Sequence, residues 1–129
     1  MKPRLCKPGT DLRTWVNRHY PGRDKTSDGW IGDKAHQARP SDHNPDLEGI
    51  VRAIDIDADL KPKAKDKTEA HRLAETLRVE AKAGTRPISY IIWNGRICSD
   101  KRGWAWRPYE GLNPHNHHIH ISFRKVPGE

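Results

Sequence analysis

Residues 118–122 read His118, Ile119, His120, Ile121, Ser122. Strict alternation of polar and apolar residues is the pattern of a half-buried β-strand, because successive side chains leave opposite sides of the backbone. His118 and His120 then share one face, and Ile119 and Ile121 point into apolar packing. Two imidazoles fixed on a rigid strand suit metal binding, since a ligand must be held in place before the ion arrives. A tag-like histidine tract would carry no isoleucines in register. Four of the chain's eight histidines, His115, His117, His118 and His120, cluster here. By parity His117 faces away from His118, which gives it a structural or solvent-facing place.

Other elements follow from period and punctuation. Leu12, Trp15, Val16 and His19 fall at helical spacing, so residues 11–19 are expected to form a short helix that Pro21 and Gly22 stop. Residues 20–49 are rich in Gly, Pro, Asp and Ser and read as a long loop of the kind that often carries function. Residues 50–57 are rich in β-branched residues and read as one strand. Residues 60–67 form a lysine-rich connector, and Asp66 with Glu69 resembles a helix start. Ala70, Leu73, Ala74, Leu77 and Ala81 make one helical stripe, closed by Gly84. Residues 88–93 form a strand, Asn94-Gly95 a two-residue hairpin turn, and Arg96 begins the return. Residues 103–114, with Trp104, Trp106 and Tyr109, read as loop, and these aromatics either wall a cleft or join the core. The expected fold class is α+β, with a small antiparallel sheet flanked by helices.

The chain has 129 residues, which predicts a single domain over 1–129. Only 33% is hydrophobic and 32% is charged, so the core is modest, but five tryptophans argue for a folded unit. The net charge of +7 favours a polyanionic partner, either nucleic acid or an anionic cell wall. No apolar run follows the basic start, which predicts no secretory signal, no membrane span and synthesis in the cytoplasm. Cys6 and Cys98 could form one disulfide, but two thiols are the default expectation in a cytosolic product, and neither is given a chemical role.

A catalytic zinc site takes three protein ligands and keeps one position for water. The histidine strand supplies one or two. His43, in the long loop, is the best source of another. Asp55 and Asp57 share a face opposite Ile54 and Ile56, so either carboxylate could complete the set.

Ser41 and His43, then Gly49, Ala53 and Asp55, then His118 and His120 together resemble the zinc D-alanyl-D-alanine carboxypeptidases and phage endolysin peptidases. That fold group also includes the vancomycin-resistance dipeptidases and the hedgehog signalling domain. The resemblance covers about residues 29–122. It implies a hedgehog/DD-peptidase-like fold with one zinc ion per chain, held by His43, Asp55 and His120. The interval from His43 to Asp55 is longer than the family's, so Asp57 stays open as the acid, although the Ala53–Asp55 spacing favours Asp55. The base that takes a proton from water is His118, which shares a face with His120, or His115, which the resemblance points to. Arg39 is the candidate for stabilising an oxyanion or gripping a substrate carboxylate in a bidentate fork. Ser41 would orient loop or substrate, and Asp42 would cap a turn or support a ligand histidine.

The implied function is zinc-dependent hydrolysis of a peptide bond in bacterial peptidoglycan, by an endolysin-type endopeptidase or a D,D-/L,D-carboxypeptidase. The expected partner is the peptidoglycan peptide stem, with no nucleic acid or membrane. A monomer that reaches the wall through a phage lysis pathway is expected. Two alternatives are a non-catalytic zinc-stabilised binding module and a metal-dependent nuclease with a His-hydrophobe-His strand. The nuclease would draw its nucleophile from Tyr90 or Tyr109.

Overall fold

The structure, a computed structural model, describes residues 2–30, 42–61, 67–111 and 113–127. It is an α+β fold. The chain opens with β1 (Arg4–Leu5), which pairs in parallel with β2 (Ile50–Val51). Between them lies α1 (Lys7–His19), which starts four residues before the periodicity predicts. Pro8 lies in its first turn, where a helix N–H has no intrahelical acceptor and its absence costs little. Leu12 and Val16 are buried. His19, read as part of the apolar stripe, is exposed instead and stacks on Trp15.

The strand expected over residues 50–57 is broken at Arg52. The Arg52 N–H donates to the carbonyl of Asp42, and its carbonyl accepts from the Phe123 N–H. The chain thereby leaves β2 in the small sheet and enters β3 (Ala53–Asp57) in the main one. Helix α2 (Thr68–Ala83) buries the full predicted stripe from Ala70 to Ala81. Gly84 ends it with φ +81°, in the left-handed region where a Cβ is strained. Its N-cap is Lys67, with no side-chain capping bond, and Asp66 lies outside the described residues.

Strands β4 (Ile88–Trp93) and β5 (Arg96–Ser99) form the hairpin around Asn94 and Gly95. Both turn residues have positive φ, as the tight hairpin turn requires. A short 3-10 turn (Asp100–Arg102) leads to β6 (Arg107–Pro108), a two-residue strand inside the expected loop. The histidine strand is β7 (His118–Phe123). The main sheet runs β3-β7-β4-β5-β6, antiparallel throughout.

This order puts the last strand between β3 and β4. Ile54 lies opposite Ile121, and Ile56 opposite Ile119. These four, with Ile91, join the α1 and α2 stripes in one apolar core. By the two-residue period, the other face of the same strands carries Asp55, Asp57, His118, His120, Ser122 and Tyr90.

Cys6 and Cys98 are buried free thiols. Burial pushes the Cys98 thiol up to about 12, which keeps it protonated and unreactive. Among the described residues no helix is long and apolar enough to cross a membrane.

Candidate metal centre

The sheet register brings Asp55 directly opposite His120. Directly opposed residues of an antiparallel pair have their Cβ atoms about 5 Å apart on one face. His120 Nδ1 is 3.2 Å from Asp55 Oδ1. The loop after residue 41 brings in His43, whose Nε2 is 3.3 Å from Asp55 Oδ2 and 3.2 Å from His120 Nδ1. One donor atom from each of His43, Asp55 and His120 lies within 4.8 Å of the other two. His43 and His120 are buried, and Asp55 is nearly so.

Both neighbouring loops are tied down by side chains. Asp46 accepts from the Glu48 and Ile50 N–H groups and pairs with Arg52, which fixes the chain just after His43. In the earlier loop, Arg23 grips Asp28 through both guanidinium nitrogens, at 2.8 and 2.6 Å, and donates to Asn17. Gly29 makes a backbone bridge with Asp55. The Trp30 carbonyl is thereby held 2.9 Å from His43 Nδ1.

That contact sets the chemistry of His43. A carbonyl only accepts, so Nδ1 carries the proton and Nε2 turns a lone pair toward the centre. On the other side His120 Nε2 is 2.8 Å from Ser122 Oγ, and Nδ1 is the nitrogen facing Asp55 and His43. Two ring nitrogens and a carboxylate thus converge with their outer atoms already engaged, the arrangement of ligand histidines whose second nitrogen is oriented by a neighbour. Without a cation, only a proton can reconcile acceptors this close. Burial pulls the His43 pKa down, but the hydrogen bond and charge of Asp55 outweigh it and the net shift is upward. Burial alone would raise the Asp55 carboxyl, yet hydrogen bonds from His120 and His43 hold it far below the usual carboxylate range. The donor set of two imidazoles and one carboxylate fits a catalytic zinc ion.

His118 and His115 flank this trio. His118 Nε2 is 3.4 Å from Asp55 Oδ2. The His115 ring lies 5.2 Å from that of His118 and 5.5 Å from that of His120. Its placement comes from the hairpin that the sequence announces. Asn94 and Gly95 donate their N–H groups to the carbonyls of His115 and Pro114, and Asn113 Oδ1 accepts from the His115 N–H. His115 adopts φ +56°, an uncommon conformation for a residue with a Cβ and one concentrated at functional sites. Burial, then the neighbouring His120 and His118, push its pKa down to about 4, and burial likewise lowers His118. Both rings are neutral at neutral pH.

The two aspartates of β3 have different surroundings. Asp57 Oδ2 accepts from Ser27 N–H and Oγ–H, at 2.9 and 2.7 Å, and Oδ1 accepts from Asp59 N–H. Asp57 is a strut for the loop before the centre, whereas Asp55 faces three histidines. His117 is exposed, and its carbonyl accepts from Ala58. A cleft of about 680 Å³ runs from His118 past His117 and Asn116 to Asp24, Asp59 and Lys67. Of the three aromatics of residues 103–114, Trp104 is core, Trp106 packs against the core and donates to Glu75, and Tyr109 approaches His115 at 5.9 Å. Arg39 and Ser41 lie outside the described residues.

Tyr90 and Ser122 are the neighbours that sequence reasoning missed. Ser122 was marked in advance by its place two residues after His120, on the same strand face. Nothing in the local sequence around Tyr90 announces that β4 pairs with β7.

The chain is thus an α+β domain with a buried His/Asp/His centre on one face of its sheet. A family model described as VldE, C-terminal domain, matches residues 10–120, and the protein belongs to that family. No curated protein and no solved structure matches the chain.

Proposed function

We propose that this protein is a zinc metallopeptidase that hydrolyses a peptide bond in the stem of bacterial peptidoglycan. The observation that carries the reading is the convergence of His43 Nε2, Asp55 and His120 Nδ1 beside two further neutral histidines. The family name states no reaction, so the proposal rests on this site and on the motif resemblance to the D-alanyl-D-alanine peptidases.

In this reading His43, Asp55 and His120 hold the ion. Zinc so bound supplies a Lewis acid that brings the pKa of a coordinated water to about 7. His118 and His115 handle protons. Each has an imidazole that is neutral near pH 7, so either can take a proton from water and return it to the leaving amine nitrogen. The cleft beyond His118 is of the size that ligand sites usually have and is the proposed seat of the stem peptide. Arg39 is proposed for the substrate or intermediate oxygen on its spacing before His43 alone. The charge of +7 would hold the protein on an anionic wall.

The nuclease alternative needs an activated tyrosine. Tyr90 stacks on His120 with ring centroids 5.4 Å apart, and burial raises its pKa. That shift counts against a phenolate nucleophile.

The test is digestion of purified peptidoglycan with and without a chelator, with new termini identified by mass spectrometry. The proposal expects new amino and carboxyl ends that vanish with chelator and return with zinc. Zinc-loaded protein that releases no termini would overturn it in favour of the binding module.

A further inference from the structure

The strand register carries the metal-bearing face well beyond the centre. Directly opposed residues of an antiparallel pair share a face. Across the main sheet Asp55 lies opposite His120, His120 opposite Ile92, Ile92 opposite Ile97, and Ile97 opposite Arg107. Arg107 therefore stands on the same face as Asp55 and His120, at the far end of one row. In the next row Ser122 lies opposite Tyr90, and Tyr90 opposite Ser99. Arg107 Nη1 donates to Ser99 Oγ at 3.0 Å, so the guanidinium leans over β5 on this face rather than off the sheet edge. Two residues on, the Tyr109 ring stands 5.9 Å from that of His115 and links this edge to the centre.

Arg107 is partnered unlike other sheltered arginines. Arg23, Arg52, Arg78 and Arg86 each pair with a carboxylate, at 2.6 to 3.0 Å. Arg107 is half-buried and permanently charged, yet among the described residues its hydrogen bond goes to a neutral hydroxyl and no carboxylate pairs with it. A charge drawn out of water is stable when an opposite charge answers it. The bond to Ser99 uses Nη1, which leaves Nε and Nη2 for the fork that grips a carboxylate through two hydrogen bonds. Ile92 and Ile97, between Arg107 and His120, offer no polar side-chain partner, so a ligand crossing that step is recognised at its ends. Adjacent strands lie about 4.8 Å apart, so Ser99, two strands from β7, holds the guanidinium about 10 Å from the histidine strand. An extended peptide covers that distance in roughly three residues.

We propose that Arg107 is a substrate-binding residue that holds a free carboxylate of the peptide, roughly three residues from the bond that is cleaved. Ser99 is its positioning residue and aims the guanidinium along the sheet face. The site selects a peptide with an unblocked carboxyl group, at its C-terminus or on a side chain, over the same peptide with a carboxamide there. The substrate then spans both sides of the centre, from the cleft beyond His118 to the arginine beyond Ile97. The inference rests on the peptidase reading for the cleaved bond, whereas carboxylate binding at Arg107 does not depend on turnover.

The experiment measures binding of a synthetic stem pentapeptide to the full chain by isothermal titration, beside forms of the peptide with each carboxyl group amidated in turn. Hydrolysis of the same peptides, with zinc added, is followed separately by mass spectrometry. Wild type is expected to bind one amidated form roughly 10–100-fold more weakly than the free acid, through loss of one charge-assisted pair. Arg107→Gln is expected to weaken binding of the free acid by the same factor and to bind that amide as wild type does. Arg107→Lys keeps the charge without the fork and is expected to fall between them. Wild type that binds the free acid and every amide equally, or binds none of them, would overturn the site. So would Arg107→Gln that weakens acid and amides alike, the mark of a residue that only props the sheet edge. Carboxylate selectivity that Arg107→Gln removes, with no new termini from zinc-loaded wild type, would sink the peptidase reading and leave the site standing.

Discussion

On one face of the main sheet, Ile54, Ile56, Ile119 and Ile121 are sealed beneath α1 and α2. On the other face, one residue along the same two strands, Asp55 and His120 meet with His43 from the loop, flanked by His118 beside Asp55 and by Ser122 behind His120. The apolar face works through area and volume, and any residue of similar shape would serve there. The polar face works through direction, because each ring nitrogen must find one particular partner. The first face makes the sheet stiff enough for the second to hold three donor atoms within 4.8 Å.

Breaking the two faces separately sharpens this contrast. Ile121→Ala removes a fully buried side chain between two strands, and is expected to cost about 2–5 kcal/mol in urea unfolding. Zinc affinity of the molecules that remain folded should change little. His120→Ala, one residue away, is expected to abolish zinc binding at a smaller cost in stability. Equal loss of stability and of metal in both variants would refute the division.

The next pair lies within the polar face. Asp57→Asn replaces one acceptor of a strut and is expected to cost about 1–3 kcal/mol of stability while zinc binding persists. Asp55→Asn is expected to lower zinc affinity at least about tenfold, because an anionic ligand is lost from the set. Isothermal titration on both variants checks the contrast, and the reverse order would make Asp57 the ligand.

The smallest expected effect is on pH dependence without metal. The folded pKa of His115, about 4, lies below the value of about 6.5 for a free imidazole. In that window the unfolded chain binds more protons, so stability rises with pH. The contribution of His115 is fully present above pH of about 6.5 and is lost as pH falls toward about 4. Melting temperature of the metal-free protein should climb across this range, and His115→Gln should flatten the climb. A slope unchanged by His115→Gln would remove this histidine from the account.

Much of this was legible in the sequence because it is local. The alternation of residues 118–122 announced β7, the stripe from Ala70 to Ala81 announced α2, and Asn94-Gly95 announced the hairpin that also carries His115. The residues that converge were legible too, since His43, Asp55 and His120 stand in motif order. Which strands are neighbours was not. Asp55 and His120 are 65 residues apart, and no local pattern says that they lie opposite each other. The break at Arg52 was hidden for the same reason, because it depends on partners in Asp42 and Phe123. The different surroundings of Asp55 and Asp57 turned on a serine thirty residues upstream of Asp57, and the place of Tyr90 turned on the pairing of β4 with β7.

The most direct test of the central claim is zinc X-ray absorption on protein reconstituted at one equivalent, beside the His43→Ala and Asp55→Asn variants. The account predicts one ion per chain in a shell of nitrogen and oxygen without sulfur, with two imidazoles in wild type and one after His43→Ala. A spectrum with thiolate ligands, or a shell that both substitutions leave unchanged, would contradict it.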